Sequence, residues 1–118
     1  MLVDDEENIL NSFHDFLSDH GYVVNSFRDG SSALAAFQEN PGSYDIVITD
    51  MTMPKITGDK LSIEILKICP NMPIILCTGY SEKMSKEKVR EIGICKYLSK
   101  PVRLFDFIKI IREILDAQ

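Results

Sequence analysis

The sequence predicts an α/β fold of the doubly wound (βα)5 type, with five parallel strands in the order 2-1-3-4-5. Short apolar runs alternate with longer amphipathic segments along the whole chain, which is typical of a parallel sheet with crossover helices. Right-handed crossovers place such helices on both faces of the sheet. Four of the apolar runs are followed at once by polar or charged residues, so we expect a site at one sheet edge.

The strand predictions follow the apolar runs, and the first strand is unusually short. In chain order, the predicted strands cover residues 1–3, 22–27, 45–49, 73–78 and 94–98. Strands usually have about five or six residues, and the first strand of this fold is an interior strand of the sheet, which should be among the longest. We therefore expect a domain that was cut from a longer protein and whose first strand is truncated at its N-terminus.

The helix predictions rest on apolar residues at helical spacing and on terminating glycines and prolines. The first helix covers about residues 6–19 and ends before Gly21. The second begins at Asp29-Gly30-Ser31 and ends before Pro41, and the third lies between Gly58 and Pro70. The fourth covers residues 81–92, with a thin apolar face of Met84, Val89 and Ile92, and the fifth covers residues 102–116.

The fifth helix carries more apolar side chains than one buried stripe needs. We expect one face to be core, made of Leu104, Ile108, Ile111 and Leu115. A second set broadens the stripe, and we expect some of it at the surface: Phe105, Phe107, Ile110 and Ile114. Exposed apolar patches often mark partner sites, but a wide stripe can also simply cover a deep core.

Length and composition indicate one globular domain, residues 1–118, with no internal repeat or linker. The net charge of −5 disfavours direct binding to nucleic acid. There is no apolar run of about 18 residues that could span a membrane and no signal-peptide pattern. Cys77 lies inside an apolar run and Cys95 beside one, so we expect buried free thiols and a cytoplasmic location.

Three carboxylates follow the first and third predicted strands, which flank the point where the strand order reverses. They are Asp4, Asp5 and Asp50. Carboxylates this close repel one another unless a cation neutralises them, and hard oxygen ligands suit Mg²⁺. No His or Cys lies near them in the sequence, which argues against zinc. A carboxylate can also act as a nucleophile and form an aspartyl phosphate.

The fourth and fifth predicted strands end in a hydroxyl and an ammonium group. The Thr78 hydroxyl could bind one phosphoryl oxygen and Lys100 another, while Gly79 leaves room for the incoming group. Each residue alone also has a plain structural reading. Asp5 could cap the first helix, Asp50 could be a turn residue, and the Thr78 and Lys100 side chains could be an ordinary strand end and a solvated lysine. All four readings would then have to coincide at successive strand ends.

The whole chain resembles a receiver domain of bacterial two-component signalling, a CheY-like module that also occurs in hybrid histidine kinases and multidomain regulators. The matching motifs are Asp4-Asp5, Asp50 with Met53-Pro54 and Gly58, Thr78-Gly79, and Lys100-Pro101. The resemblance implies that Asp50 is phosphorylated by a phosphohistidine donor. It also implies Mg²⁺ bound by Asp5, Asp50 and the Thr52 carbonyl, with Asp4 acting through water, and a cis peptide before Pro101.

The resemblance further implies a switch, in which the Thr78 hydroxyl and the aromatic ring of Tyr97 reorient together on phosphorylation. Thr52 and Tyr80 stand at positions that tune the lifetime of the acyl phosphate in this family. The implied partners are a histidine kinase or a histidine phosphotransfer domain, and a second copy of the chain through the face made by the fourth helix, fifth strand and fifth helix. The domain would regulate by phosphorylation and would catalyse only its own phosphotransfer and dephosphorylation.

Three alternatives remain open. A phosphatase of the haloacid-dehalogenase type would want a second Asp two residues after the nucleophile, where Thr52 stands. A flavin-binding protein would want a phosphate loop after the first strand, where the acidic run 4–7 would repel a phosphate. An unphosphorylated pseudo-receiver would serve only as a scaffold.

Overall fold

The computed structural model describes residues 1–79 and 86–118, which form one parallel sheet with helices on both faces. The strands are β1 (Leu2–Val3), β2 (Ser26–Phe27), β3 (Val47–Asp50), β4 (Ile74–Thr78) and β5 (Lys96–Ser99). The helices are α1 (Glu7–Asp19), α2 (Gly30–Glu39), α3 (Gly58–Ile68), α4 (Lys86–Ile92) and α5 (Leu104–Asp116). The strand order β2-β1-β3-β4-β5 confirms the predicted fold class.

The second strand is much shorter than the sequence predicts. Of the predicted residues 22–27, only Ser26 and Phe27 form β2, where they pair with Leu2 and Val3 of β1. The prediction was wrong because β1 has two residues, so a longer second strand has no neighbour to pair with. The start predicted for the fourth helix, including Met84 of its apolar face, lies outside the described residues.

Helix α1 begins directly after the acid pair Asp4-Asp5, and both of its ends have defined hydrogen bonds. Glu6 is its N-cap residue, and the Glu6 N–H donates to Asp4 Oδ1 at 2.9 Å, so Asp5 does not cap this helix. At the other end Gly21 has a φ of +91°, and the Tyr22 N–H returns to the Leu17 carbonyl at 3.1 Å. This is the left-handed helix ending that the sequence predicts at Gly21.

The sheet separates two apolar cores. On one face α2, α3 and α4 pack on β1, β3 and β4 around Phe37, Leu61, Ile65 and other fully or nearly buried side chains. On the other face α1 and α5 pack around Phe107 and Ile111. Side chains that alternate along each strand feed the two cores in turn, as two-sided burial of a parallel sheet requires.

Helix α5 is rotated slightly from the orientation that the sequence predicts. Of the four residues expected in its core, only Ile111 is fully buried, whereas Leu104, Ile108 and Leu115 are half-buried. Phe107 is fully buried instead, with its ring centroid 5.1 Å from that of Phe13 in α1. Burial of the phenyl ring removes the largest apolar area from water, which sets how the helix sits on the sheet.

Of the four residues that broaden the stripe of α5, Phe105 is the one at the surface, with 77% of it exposed. Its ring lies edge-on to Phe16 of α1 at 5.7 Å, so it faces the α1 side of the helix rather than the β5 side.

The prediction that Cys95 is buried is wrong: it is exposed, because it precedes β5 at the edge of the sheet. Cys77 is buried, and all three cysteines are free.

The loop from β3 to α3 contains one residue with strained backbone. Lys55 has a φ of +72°, and the Ile56 N–H bonds the Pro54 carbonyl at 2.9 Å across it, which makes a γ-turn. A side chain in this region costs roughly 1–2 kcal/mol. We expect Lys55→Gly to raise the free energy of unfolding by about 0.5–1 kcal/mol, because glycine adopts a positive φ without this cost. The ion pair of Lys55 with Asp29, at 4.0 Å, would be lost, but such an exposed pair contributes little.

Urea denaturation of the purified domain measures this difference. Lys60→Gly, at an exposed position inside α3, is the matched control and should lower the free energy of unfolding by about 1 kcal/mol. Equal losses for both variants would show that Lys55 is not strained.

Among the described residues, the structure contains no helix with the length and apolar character to cross a membrane.

Candidate functional site

The carboxyl edge of the sheet brings the three predicted carboxylates together. Asp50 ends β3 and Asp4 follows β1, and the register pairs Val3 with Thr49, so the two acids are neighbours. Both are buried, and Asp5 beside them is half-buried. One oxygen from each of the three carboxylates lies within 4.8 Å of the others. The result is a compact cluster of hard oxygen donors at the point where the strand order reverses.

Lys100 lies against this cluster. Its Nζ is 2.8 Å from Asp50 Oδ1 and 3.5 Å from Asp4 Oδ2. Its backbone N–H donates to the Thr78 carbonyl at 2.7 Å, and the Lys100–Pro101 peptide bond is cis. Burial acts to lower the pKa of Lys100, but its hydrogen bond to Asp50 and the attraction of Asp4 outweigh it and raise that pKa. The ammonium is therefore charged at neutral pH.

The residues at the ends of β4 and β5 lie beside the cluster on the same edge. Thr78 is fully buried and pairs with Ser99 of β5, and Gly79 follows it, half-buried. Tyr97 lies two residues before Ser99 and is half-buried against the core formed with α2, α3 and α4. Because paired residues and residues two apart share a face, the side chains of Thr78 and Tyr97 lie on the same face of the sheet.

The loop after β3 carries the remaining predicted site residues. Thr52 is exposed, two positions after Asp50. Gly58, the first residue of α3, donates its N–H to the Met51 carbonyl at 2.8 Å. A Cβ on Gly58 would overlap the carbonyl oxygen of Asp50 and come within 2.8 Å of Leu76 Cδ1. The helix start therefore packs directly on the backbone of Asp50. Tyr80 lies outside the described residues.

The donor set suits a hard divalent cation. Carboxylate oxygens, together with a backbone carbonyl, are the ligands that Mg²⁺ takes from proteins. The three carboxylates and the Lys100 ammonium together carry a net charge of −2, which a divalent cation would neutralise. Cys77 also lies near the cluster, but burial, with a further contribution from Asp50, raises the pKa of its thiol to about 12. A neutral thiol is a poor metal ligand, so the oxygen atoms define the site.

One feature beside the site was not predicted from the sequence. A cleft of ≈ 570 Å³ opens between α1 and the segment that joins β5 to α5, and it reaches Asp4, Asp50 and Lys100. Cys77 lines it, because β4 pairs Cys77 with Asp50 and so places both side chains on the same face. The two-residue alternation of β4 is the only signal in the sequence that indicates this placement, and it does not reveal a cavity.

Comparisons with known proteins agree with this geometry. A family model described as response regulator receiver domain matches residues 1–112. The chain is 32% identical, over 104 residues and 88% of its length, to the two-component response regulator ARR10 of Arabidopsis thaliana. It is 30% identical over its whole length to the sensor kinase CckA of Brucella abortus. It spans 19% of the first relative and 12% of the second.

The solved structures show the same likeness over nearly the whole chain. A response regulator receiver domain protein from Clostridium thermocellum superposes with a TM-score of 0.91 at 34% identity, covering 98% of this chain and 92% of that one. The chemotaxis protein CheY4 of Vibrio cholerae gives a TM-score of 0.85 at 27% identity, covering 95% and 93%. The chain belongs to the receiver-domain family of two-component response regulators.

Proposed function

We propose that this domain is a phosphorylation-dependent switch in which Asp50 accepts a phosphoryl group from a phosphohistidine. The observation that carries the proposal is the contact of Lys100 Nζ with Asp50 at 2.8 Å inside a cluster of three carboxylates. Phosphoryl transfer needs positioning and charge neutralisation more than covalent help. A nucleophilic carboxylate held between a cation site and an ammonium supplies both.

In the transfer, one Asp50 carboxylate oxygen forms a bond to phosphorus while the bond from phosphorus to the donor imidazole nitrogen breaks. The leaving imidazole keeps the electron pair of that bond. We assign the metal ligands as Asp5, Asp50 and the Thr52 carbonyl, with Asp4 acting through water. Bound Mg²⁺ would neutralise part of the phosphoryl charge.

Lys100 and Thr78 would hold the phosphoryl group once it is on Asp50. The Lys100 ammonium already contacts the acceptor carboxylate, so a short movement would let it bind a phosphoryl oxygen as a point charge. The Thr78 hydroxyl, at the end of the neighbouring strand, would donate to another oxygen. Gly79 keeps the approach open, and Thr52 and Tyr80 would tune how fast water removes the phosphoryl group.

The output of the switch would run through Thr78 and Tyr97. Their side chains share a face of the sheet, and Tyr97 is packed against a core rather than free in solvent. When the Thr78 hydroxyl moves toward the phosphoryl group, Tyr97 would fill the space it leaves. A local charge would thus select between two arrangements of the surface made by α4, β5 and α5.

We infer two kinds of partner for the domain. The phosphoryl donor would be a histidine kinase or a histidine phosphotransfer domain, and a second copy of the chain would bind through the surface of α4, β5 and α5. The domain, residues 1–118, would work in the cytoplasm as one unit of a longer signalling protein. It would catalyse only its own phosphotransfer and dephosphorylation.

Intact-mass spectrometry after incubation with acetyl phosphate tests the proposal. We expect one phosphoryl adduct on the wild-type domain in the presence of Mg²⁺ and none without it. Asp50→Asn should lose the adduct entirely, because an amide is not a nucleophile for phosphorus. Asp15→Asn, at an exposed position of α1, is the matched control and should keep it. A folded wild-type domain that takes no phosphoryl group with Mg²⁺ present would favour a scaffold function instead.

A further inference from the structure

The cleft beside the acidic cluster has the size and lining of a small-molecule site. Its volume of ≈ 570 Å³ falls within the range of about 300–1,000 Å³ that ligand pockets occupy. Its floor is the sheet face that carries Leu2, Ile48 and Cys77, and its sides are α1 and the start of α5. Most of the atoms that line it are apolar.

The walls of the cleft contain apolar side chains that the protein covers only in part. Ile9 and Phe13 of α1 and Val102 and Leu104 on the opposite side all line it, and all four are only half-buried. Covering half-buried apolar surface stabilises a complex by roughly 25 cal/mol per Å² of area removed from water. An apolar group that enters the cleft would therefore gain contact on three sides.

The inner end of the cleft has a defined charge. Asp4, Asp50 and Lys100 line it, and Asp5 belongs to the same cluster. The three carboxylates outnumber the one ammonium, so the local charge is negative. An anionic head group would be repelled there, whereas a cationic head group would be attracted and could donate hydrogen bonds to the carboxylate oxygens. Charge thus selects among the apolar molecules that fit.

We propose that this cleft binds a small amphiphilic cation, with its apolar body between α1 and the start of α5 and its amine or amidinium head against Asp4 and Asp50. The head group would occupy the space that a divalent cation needs. Occupancy would consequently compete with Mg²⁺ and hold the domain in the unphosphorylated state, a regulatory effect that rests on the proposed function. The binding itself does not.

The probe is 4-phenylbutylamine, and 4-phenylbutanol is its neutral counterpart of nearly equal shape. We measure binding to the wild-type domain by amide chemical-shift titration without Mg²⁺ or phosphodonor. The amine should bind at least about tenfold more tightly than the alcohol, as one charge-assisted contact predicts. The shifts should concentrate at Ile9, Phe13 and Val102.

Two substitutions on α1 locate the site. Ser12 is exposed and lines the cleft, so Ser12→Phe should fill its mouth without disturbing the core and weaken amine binding at least about tenfold. Ser18→Phe, exposed on the same helix away from the cleft, should leave binding unchanged. Equal affinities for amine and alcohol, no saturable binding of the amine, or full amine binding by Ser12→Phe would each overturn the proposal.

A second readout separates this proposal from the proposed function. With Mg²⁺ and acetyl phosphate present, added amine should slow formation of the phosphoryl adduct, and excess Mg²⁺ should restore it. A wild-type domain that is phosphorylated but does not bind the amine would overturn only the ligand site. A domain that binds the amine in the cleft but takes no phosphoryl group would support the ligand site and overturn the proposed function.

Discussion

Gly58→Ala is expected to lower the free energy of unfolding by more than about 3 kcal/mol, at the upper end of what overpacking costs. The new methyl group would overlap the carbonyl oxygen of Asp50 and press on Leu76, which is fully buried. Backbone cannot give way as a flexible side-chain end can, so α3 would have to move off β3. Thermal unfolding followed by circular dichroism should show the melting temperature falling by roughly 10 °C or more.

Gly42→Ala is the matched control for this prediction. Gly42 is exposed, and a Cβ built on it meets nothing within 4 Å. The same chemical change should therefore leave stability within about 0.5 kcal/mol of wild type. Similar melting temperatures for the two variants would contradict the close packing of α3 on the Asp50 backbone.

Lys100→Met is expected to slow formation of the phosphoryl adduct by about a hundredfold or more, the usual effect of removing one group that stabilises developing charge. Methionine keeps an unbranched apolar side chain, one atom shorter than that of lysine, but removes the ammonium from Asp50 and Asp4. Adduct formation with acetyl phosphate, followed by intact mass over time, measures the change. Lys96→Met, at an exposed position of β5, should react at the wild-type rate.

Lys100→Met should also reveal the repulsion between the carboxylates of the site. Without the ammonium, Asp4 and Asp50 lose their shared cation, and unfolding should become about 1–3 kcal/mol easier in the absence of Mg²⁺. Added Mg²⁺ should stabilise Lys100→Met more than wild type, because it replaces the missing charge. Equal Mg²⁺ effects on the two proteins would show that the cation does not bind beside Lys100.

The pH dependence of the wild-type domain has a defined sign at this lysine. The pKa of Lys100 is raised above its ordinary value of 10.5 in the folded state. Its ion pairs therefore stabilise the fold fully at pH values below about 10.5, and the contribution is lost as the pH rises through the folded pKa. The Lys100→Met difference in stability should consequently persist across neutral pH and disappear in alkali.

The acidic cluster could be predicted from the sequence because it depends on chain order alone. Polar residues that directly follow strands of a parallel sheet meet at one edge, whatever the details of packing. The placement of Asp4 beside Asp50 needs only the strand order and the ends of the apolar runs, whereas Lys100, two strands away from Asp50, reaches it through its long side chain. Helical periodicity acts in the same way in α1, where Leu10 and Leu17, seven residues apart, are both buried in the core.

Features that depend on how elements lean on one another could not be predicted in the same way. Helix α5 has eight apolar residues among the thirteen from Leu104 to Asp116, so many rotations of the helix would bury a stripe. The contact of Phe107 with Phe13 selects one of them. The cleft is the space left between α1 and the start of α5 in that arrangement, and no single residue of the sequence predicts it. The exposure of Cys95 depends similarly on its position at the sheet edge.

The division of the interior into two cores shapes how this sequence can drift. A substitution near Phe107 meets neighbours from α1 and α5, whereas one near Phe37 meets neighbours from α2 and α3, with the sheet between them. Effects on stability at separated positions without shared partners are close to additive. Compensating changes should therefore arise within one core and rarely across the sheet, so each half of the interior can change its side chains while the other stays as it is.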